Sequence, residues 1–132
     1  MAGEQRGQPD RSWAGESPLF VRTYDLLLWL TGRVSNFPKA HRFRLAQRIE
    51  NAAFGLHERL LRATRAGSPK ATMRLLLEAD VELDKLRFYI RMAAEPTLKL
   101  ITPRQYEHVS RMIVEVGRLL GGWMKKVKGE KA

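Results

Sequence analysis

From Thr102 to Val127 the apolar side chains recur at alternating steps of three and four: Tyr106, Val109, Ile113, Val116, Leu120, Trp123 and Val127. That spacing puts all seven on one face of an α-helix. Thr102 followed by Pro103 is a helix start. The hydroxyl can cap the first free N–H groups, and proline loses nothing at the first helical position. On the opposite side Arg104, Arg111, Arg118 and Lys125 recur every seven residues. One helix therefore carries a seam that needs partner helices and a positive ridge that needs something negative.

The rest of the chain repeats the helical period. Residues 1–17 mix Gly, Gln, Pro, Ser and both charge signs, which reads as a flexible N-terminal arm whose one large apolar group is Trp13. Ser17-Pro18 opens a first helix, closed by Asn36, Phe37 and Pro38. Phe20, Tyr24, Leu27 and Leu30 or Thr31 are its expected core stripe. Leu26, Leu28 and Trp29 add apolar surface on other sides. A helix apolar over most of its girth has to be covered over most of it, so Trp29 is assigned to a contact beyond the monomer.

Pro38 reopens a helix to about Arg65, with Leu45 or Ala46, Ile49, Ala53, Leu56, Leu60 and Ala63 as its core face. Arg44, Arg48, Arg59 and Arg62 form a basic flank. Gly55 stands in this helix interior at a cost of roughly 1 kcal/mol against alanine, for which a close backbone approach is one reason. Gly67 ends that helix and Ser68-Pro69 starts a third, which runs to about Ala94. It carries two stripes. Leu75, Leu76, Ala79, Leu83, Leu86, Ile90 and Ala93 face the core, and Leu77, Val81, Phe88 and Met92 form a second stripe assigned to an oligomer interface. Four helices with short connectors over residues 18–127 predict an all-α, up-down-up-down four-helix bundle, followed by a basic tail at 128–132.

Composition narrows the function. The chain has 132 residues, no cysteine and a formal net charge of +10. Thiol catalysis, disulfides and Cys-based zinc sites are excluded. No apolar run approaches the roughly 20 residues of a membrane span, and the N-terminus has no apolar signal core, so a cytoplasmic protein is expected. The positive charge calls for phosphate polymers or acidic proteins. It is concentrated: residues 39–65 hold seven Lys/Arg against two acids and residues 103–128 six against two, but residues 70–94 five against four.

The chemistry of an enzyme is missing. His41, His57 and His108 fall on different segments, and no Glu-x-x-His supplies a di-iron site. There is no phosphate-binding glycine loop and no nucleophile motif. Neither a metal nor a cofactor is expected. Glu82, two steps from Asp80 and from Asp84, cannot share a site with them; Asp80 and Asp84, four apart, do share a face, and Asp84 and Arg87, three apart, suit a surface ion pair. Arg87 and Arg91 are more telling. Like charges four apart repel, Asp84 can neutralise only one of them well, and a guanidinium fork suits phosphate or carboxylate. They suit either such a partner or acids of an adjacent subunit. On the last helix Glu107 stands four before Arg111 and Glu115 three before Arg118, whereas Lys125 has no acid at helical spacing and Arg104 has only Glu107, which Arg111 shares. With no base-reading motif, contact with nucleic acid would run through the backbone, with steep salt dependence.

Four stretches together resemble one family: SPLFVRTYDLLLWL, FPKAHRFRLAQRIENA, LDKLRFYIR and ITPRQYEHVSRMIVEVGRLLGGWMKK. The family is Avd, the accessory variability determinant of diversity-generating retroelements. The most specific parts are LRFxxR at Leu86–Arg91 and GRxLGGW at Gly117–Trp123. The resemblance implies a basic four-helix bundle that assembles into a barrel-like homopentamer. It also implies a non-catalytic partner of the retroelement's reverse transcriptase that associates with RNA or DNA during mutagenic retrohoming. By the same resemblance Arg87 and Arg91 serve reverse-transcriptase binding. Arg44, Arg48, Arg104, Arg111, Arg118 and Lys125 complete the candidate partner and nucleic-acid surface. The alternative is a generic structured-RNA-binding bundle like the proteins encoded by ribosomal RNA intervening sequences, which share the general pattern. A reverse transcriptase gene and a repeat pair beside this gene would separate the two.

Overall fold

The computed structural model describes residues 17–131. Residues 1–16 of the arm expected at 1–17, with Trp13, and Ala132 lie outside the described residues. Four long helices follow one another: α1 Pro18–Val34, α2 Gln47–Thr64, α3 Pro69–Ala93 and α4 Pro103–Lys131. A single turn Lys39–His41 and a π-helical turn Arg42–Ala46 lead directly into α2. There is no strand among the described residues.

The starts are chemically explicit. Ser68 Oγ accepts from the Ala71 N–H at 3.1 Å. Thr102 Oγ1 accepts from the Gln105 N–H at 3.1 Å, and Gln105 Oε1 returns the bond to the Thr102 N–H at 2.9 Å. This reciprocal pair satisfies two N–H groups that a helix start leaves open. Ser17 acts only through its backbone, its C=O accepting from the Val21 N–H. Between α3 and α4, Lys99 takes a positive φ of 51° and the Leu100 and Ile101 N–H groups both reach the Ala93 carbonyl.

Contacts between helices fix the topology. On α2 and α3, Gly55 meets Glu82 while Arg59 meets Glu78, so the two run in opposite directions. Arg87 on α3 meets Gly117 on α4, whereas Ile90 and Arg91, further along α3, share a groove with Tyr106 and Ser110. α1 and α4 meet at Trp29 and His108 near one end, and Arg22 lies close enough to act on Glu115 towards the other. Each helix thus packs antiparallel on its neighbours in a closed ring, an up-down-up-down four-helix bundle. Leu26, Leu30, Ile49, Leu56, Leu60, Leu76, Leu83, Leu86 and Leu120 are fully enclosed along the axis. Each contributes about 1.5–3 kcal/mol by leaving water.

Three expectations need correction. The buried stripe of α1 is Leu19, Thr23, Leu26, Leu30 and Val34: of the expected Phe20, Tyr24, Leu27 and Leu30 or Thr31 only Leu30 is on it, and the others lie one position away. A helix apolar around most of its girth gives periodicity no single face to select, and Thr23 hides the true stripe behind a hydroxyl. Both Leu45 and Ala46 are buried, where one of the two was expected, because the π turn widens the helix there. The tail drawn from 128 is helical through Lys131 as a continuation of α4. The seam of α4 lies as read: Val109, Ile113, Val116, Leu120 and Val127 are buried, with Tyr106 and Trp123 half-buried against the core.

Candidate functional site

The two stripes of α3 lie on opposite sides of the helix. Leu75, Leu76, Ala79, Leu83, Leu86, Ile90 and Ala93 are in the core, and Leu77, Val81, Phe88 and Met92 are on the surface. Leu77 is 53% exposed and Phe88 65%. Along each edge of this outer stripe runs a groove that contains a pair of arginines.

The first groove, about 390 Å³, opens between α3 and α4. Arg87 and Arg91 lie on its α3 side with Asp84, Phe88 and Ile90; Tyr106, Ser110, Ile113 and Val114 come from α4. The pair predicted from one helix is thus assembled into one concave site. Arg87 Nη1 donates to the Asp84 carboxylate. Its other terminal nitrogen lies over Gly117, where a Cβ would come within 2.9 Å of it. Arg91, exposed, has no ion-pair partner among the described residues. Two guanidinium groups face one carboxylate, so the groove keeps a net positive charge over an apolar floor. Such a surface can accept a carboxylate or phosphate at Arg91 and an apolar side chain beside Phe88.

Sequence reasoning missed the α4 half of this site. Val114, exposed at its rim, lies off both the apolar seam and the basic ridge. Only Gly117 left a signal, since its position in GRxLGGW is where Arg87 crosses the seam. Gly121 and Gly122 have no atom near the position a Cβ would take.

The second groove, about 380 Å³, lies along the other edge of the stripe. Arg44 and Arg48 line it with His41, Leu45, Tyr89, Met92 and Leu98. Neither arginine is ion-paired among the described residues. Further along, Arg59 is drawn inward. Its Nη1 lies 3.6 Å from Glu82, and its Nε lies 3.5 Å from Glu78 without the geometry of a hydrogen bond. Glu82, 8% exposed, also meets Lys85 Nζ at 3.4 Å and covers Gly55. The backbone approach expected at Gly55 is not found: the atoms that come close are the side chains of Glu82 and Arg59. Glu82 does occupy a different side from Asp84, and its step from Leu75, Ala79 and Leu86 was the missed sign of burial.

The ridge of α4 divides as its spacing implied. Arg111 pairs with Glu107 at 2.8 Å, and Arg118 pairs with Glu115 through two bonds of 2.7 and 3.1 Å. The hydrogen bond from Arg118 holds the Glu115 carboxyl below its ordinary value; desolvation opposes it, and the charges of Arg118 and Arg22 add to the lowering. Arg118 is correspondingly raised by Glu115. Arg104 and Lys125 remain without an ion-pair partner among the described residues. Trp29 sits apart from the α3 stripe: it is half-buried, with Arg33 over its ring at 5.6 Å and His108 beside it at 5.8 Å.

The model of the bAvd-like family matches residues 19–127, which takes in both grooves and the α4 ridge. The chain belongs to the bAvd-like family. The match covers LRFxxR and GRxLGGW, the two stretches that meet where the Arg87 guanidinium lies over Gly117. No curated protein matches the chain. Among the described residues of this Avd-like bundle, no group of three or more His, Asp or Glu side chains could hold a metal ion. No described helix is long and apolar enough to cross a membrane.

Proposed function

We propose that this Avd-like protein is a non-catalytic accessory subunit of a diversity-generating retroelement, acting in the cytoplasm on the retroelement's reverse transcriptase and its nucleic acid. The observation that carries this reading is the groove in which Arg87 and Arg91 stand together. Membership of the family gives that pair its meaning, and the unpaired Arg91 supplies a free guanidinium for the enzyme. The pair Arg44 and Arg48, with Arg104, Arg111, Arg118 and Lys125, serves RNA or DNA through the phosphate backbone.

Five copies form a barrel in this reading, with Leu77, Val81, Phe88 and Met92 covered by the neighbouring copy. The support is an exposed apolar stripe along most of a 25-residue helix, a surface that soluble monomers seldom leave open. Trp29 belongs to this set only as a secondary contact. Because Phe88 belongs both to the stripe and to the Arg87–Arg91 groove, the enzyme-binding groove lies at the seam between copies.

The test is co-purification of the reverse transcriptase with wild-type protein and with the double variant Arg87→Ala/Arg91→Ala. Loss of the enzyme, with helicity and oligomeric mass unchanged, is the expected result. Retention of the enzyme by a folded double variant overturns the assignment. Binding of structured RNA by a chain that never retains the enzyme favours the intervening-sequence type of bundle.

A further inference from the structure

The most exposed large apolar side chain among the described residues belongs to neither groove. Phe43 is 78% exposed. It stands on the π turn Arg42–Ala46, where the Gln47 N–H reaches back five residues to the Arg42 carbonyl. This wider turn keeps Leu45 and Ala46 in the core while Phe43 stays in solvent. Such single π turns recur where a helix re-aims a side chain for function.

The surroundings of Phe43 are cationic. From Leu26 to Ile49 the chain has no Asp or Glu. Lys39, Arg42, Arg44 and Arg48 are exposed and His41 half-buried, and none is ion-paired among the described residues. Arg42 is steadied by donation from Nε to the Phe37 carbonyl at 3.3 Å. Arg44 and Arg48 continue into the groove that holds a second aromatic, Tyr89.

We propose that Phe43 is a stacking platform for an unpaired nucleobase, with Arg42, Arg44 and Arg48 holding the flanking phosphates. The ligand class is single-stranded RNA or DNA without strict sequence. An exposed aromatic ring among unneutralised arginines is the arrangement that binds single strands, whereas a duplex hides the base faces the ring would need. The proposal rests on the nucleic-acid part of the function proposed above and refines it: backbone contact alone does not require Phe43.

The experiment is fluorescence anisotropy of the full-length protein with labelled oligouridylate and with a DNA duplex. Phe43→Ala is expected to weaken single-strand binding about 5- to 150-fold, the range of one lost stacking contact, and to leave duplex binding unchanged. Phe43→Trp is expected to restore it. Arg44→Ala is expected to weaken both ligands and to reduce the salt slope by about one. Equal effects of Phe43→Ala on both ligands, or none on either, overturn the stacking site but leave backbone-led binding in place. A change of oligomeric mass in Phe43→Ala, seen by light scattering, also overturns it, because Phe43 is then packed on a neighbouring copy. Failure of the wild type to bind either ligand removes the nucleic-acid reading itself.

Discussion

Replacing Gly117 by alanine separates the stability of α4 from the placement of Arg87. Alanine in a helix interior is favoured over glycine by about 0.5–1 kcal/mol. The new Cβ would lie 2.9 Å from Arg87 Nη2 and 3.4 Å from Leu83 Cδ2. The leucine contact is ordinary, but the arginine must move. Its guanidinium is the far end of a flexible, part-exposed side chain, and its bond to Asp84 is a surface pair worth about 0.2–1 kcal/mol. The net expectation is a stabilisation of about 0.5 kcal/mol, or about 2 °C in Tm for a domain of this size. Binding should move the other way. In the proposed function a displaced Arg87 would lose a charged hydrogen bond to the reverse transcriptase, worth about 1.5–3 kcal/mol, which is about 10- to 150-fold in Kd. Thermal unfolding by circular dichroism reads the first effect and titration against the enzyme reads the second. Gly55→Ala is the control. There the Cβ meets Glu82 Cδ at 3.1 Å and Arg59 Nη1 at 3.2 Å, and the ion pairs of the nearly buried carboxylate resist the move. That variant should lose the helical gain without affecting the enzyme. Destabilisation of Gly117→Ala by more than about 1 kcal/mol would refute the reasoning, since Arg87 would then be a structural clamp. So would unchanged affinity.

Further expectations follow from other parts of the bundle. Phe88→Asp or Leu77→Asp should leave the single-chain fold intact and abolish the oligomer; light scattering that still gives the full assembly would show that the outer stripe of α3 is not the interface. Thr23 is fully buried and its hydroxyl has no hydrogen-bond partner among the described residues. Thr23→Val keeps the shape and removes that burden, so urea unfolding should show a gain of about 1 kcal/mol. Glu115, lowered by Arg118, should titrate by carboxyl NMR below an unpaired glutamate, and Arg118→Ala should return it to the ordinary range. Because the folded value is the lower one, its small contribution is complete above the ordinary carboxylate pKa and fades as pH falls through the depressed one.

How far the sequence could be read depended on how one-sided each helix is. On α4 the apolar seam and the charged ridge occupy opposite faces, so spacing alone located Val109 to Val127 in the core. On α3 the two stripes are far enough apart for both to be separated. On α1 the run from Leu26 to Leu30 is apolar on nearly every side, and periodicity chose the neighbouring stripe. The π turn was legible only as an ambiguity between Leu45 and Ala46, which the wider turn resolves by burying both. Arg87 and Arg91 could be found as a repelling pair on one helix. Their groove could not, because Tyr106, Ser110 and Val114 join it only through the register of α4 against α3, which local spacing does not encode. For the same reason Arg59 looked like part of a free basic flank, although it is tied to Glu78 and Glu82 across the α2–α3 contact.

The central claim is an oligomeric accessory subunit that engages a reverse transcriptase. The most direct measurement mixes the purified protein with the retroelement's enzyme and follows size-exclusion chromatography with in-line light scattering. The account predicts a free-protein peak with the mass of five 15.2 kDa chains. It also predicts a heavier peak containing both proteins that disappears for Arg87→Ala/Arg91→Ala. Separate elution of the enzyme and a monomeric bundle would contradict it.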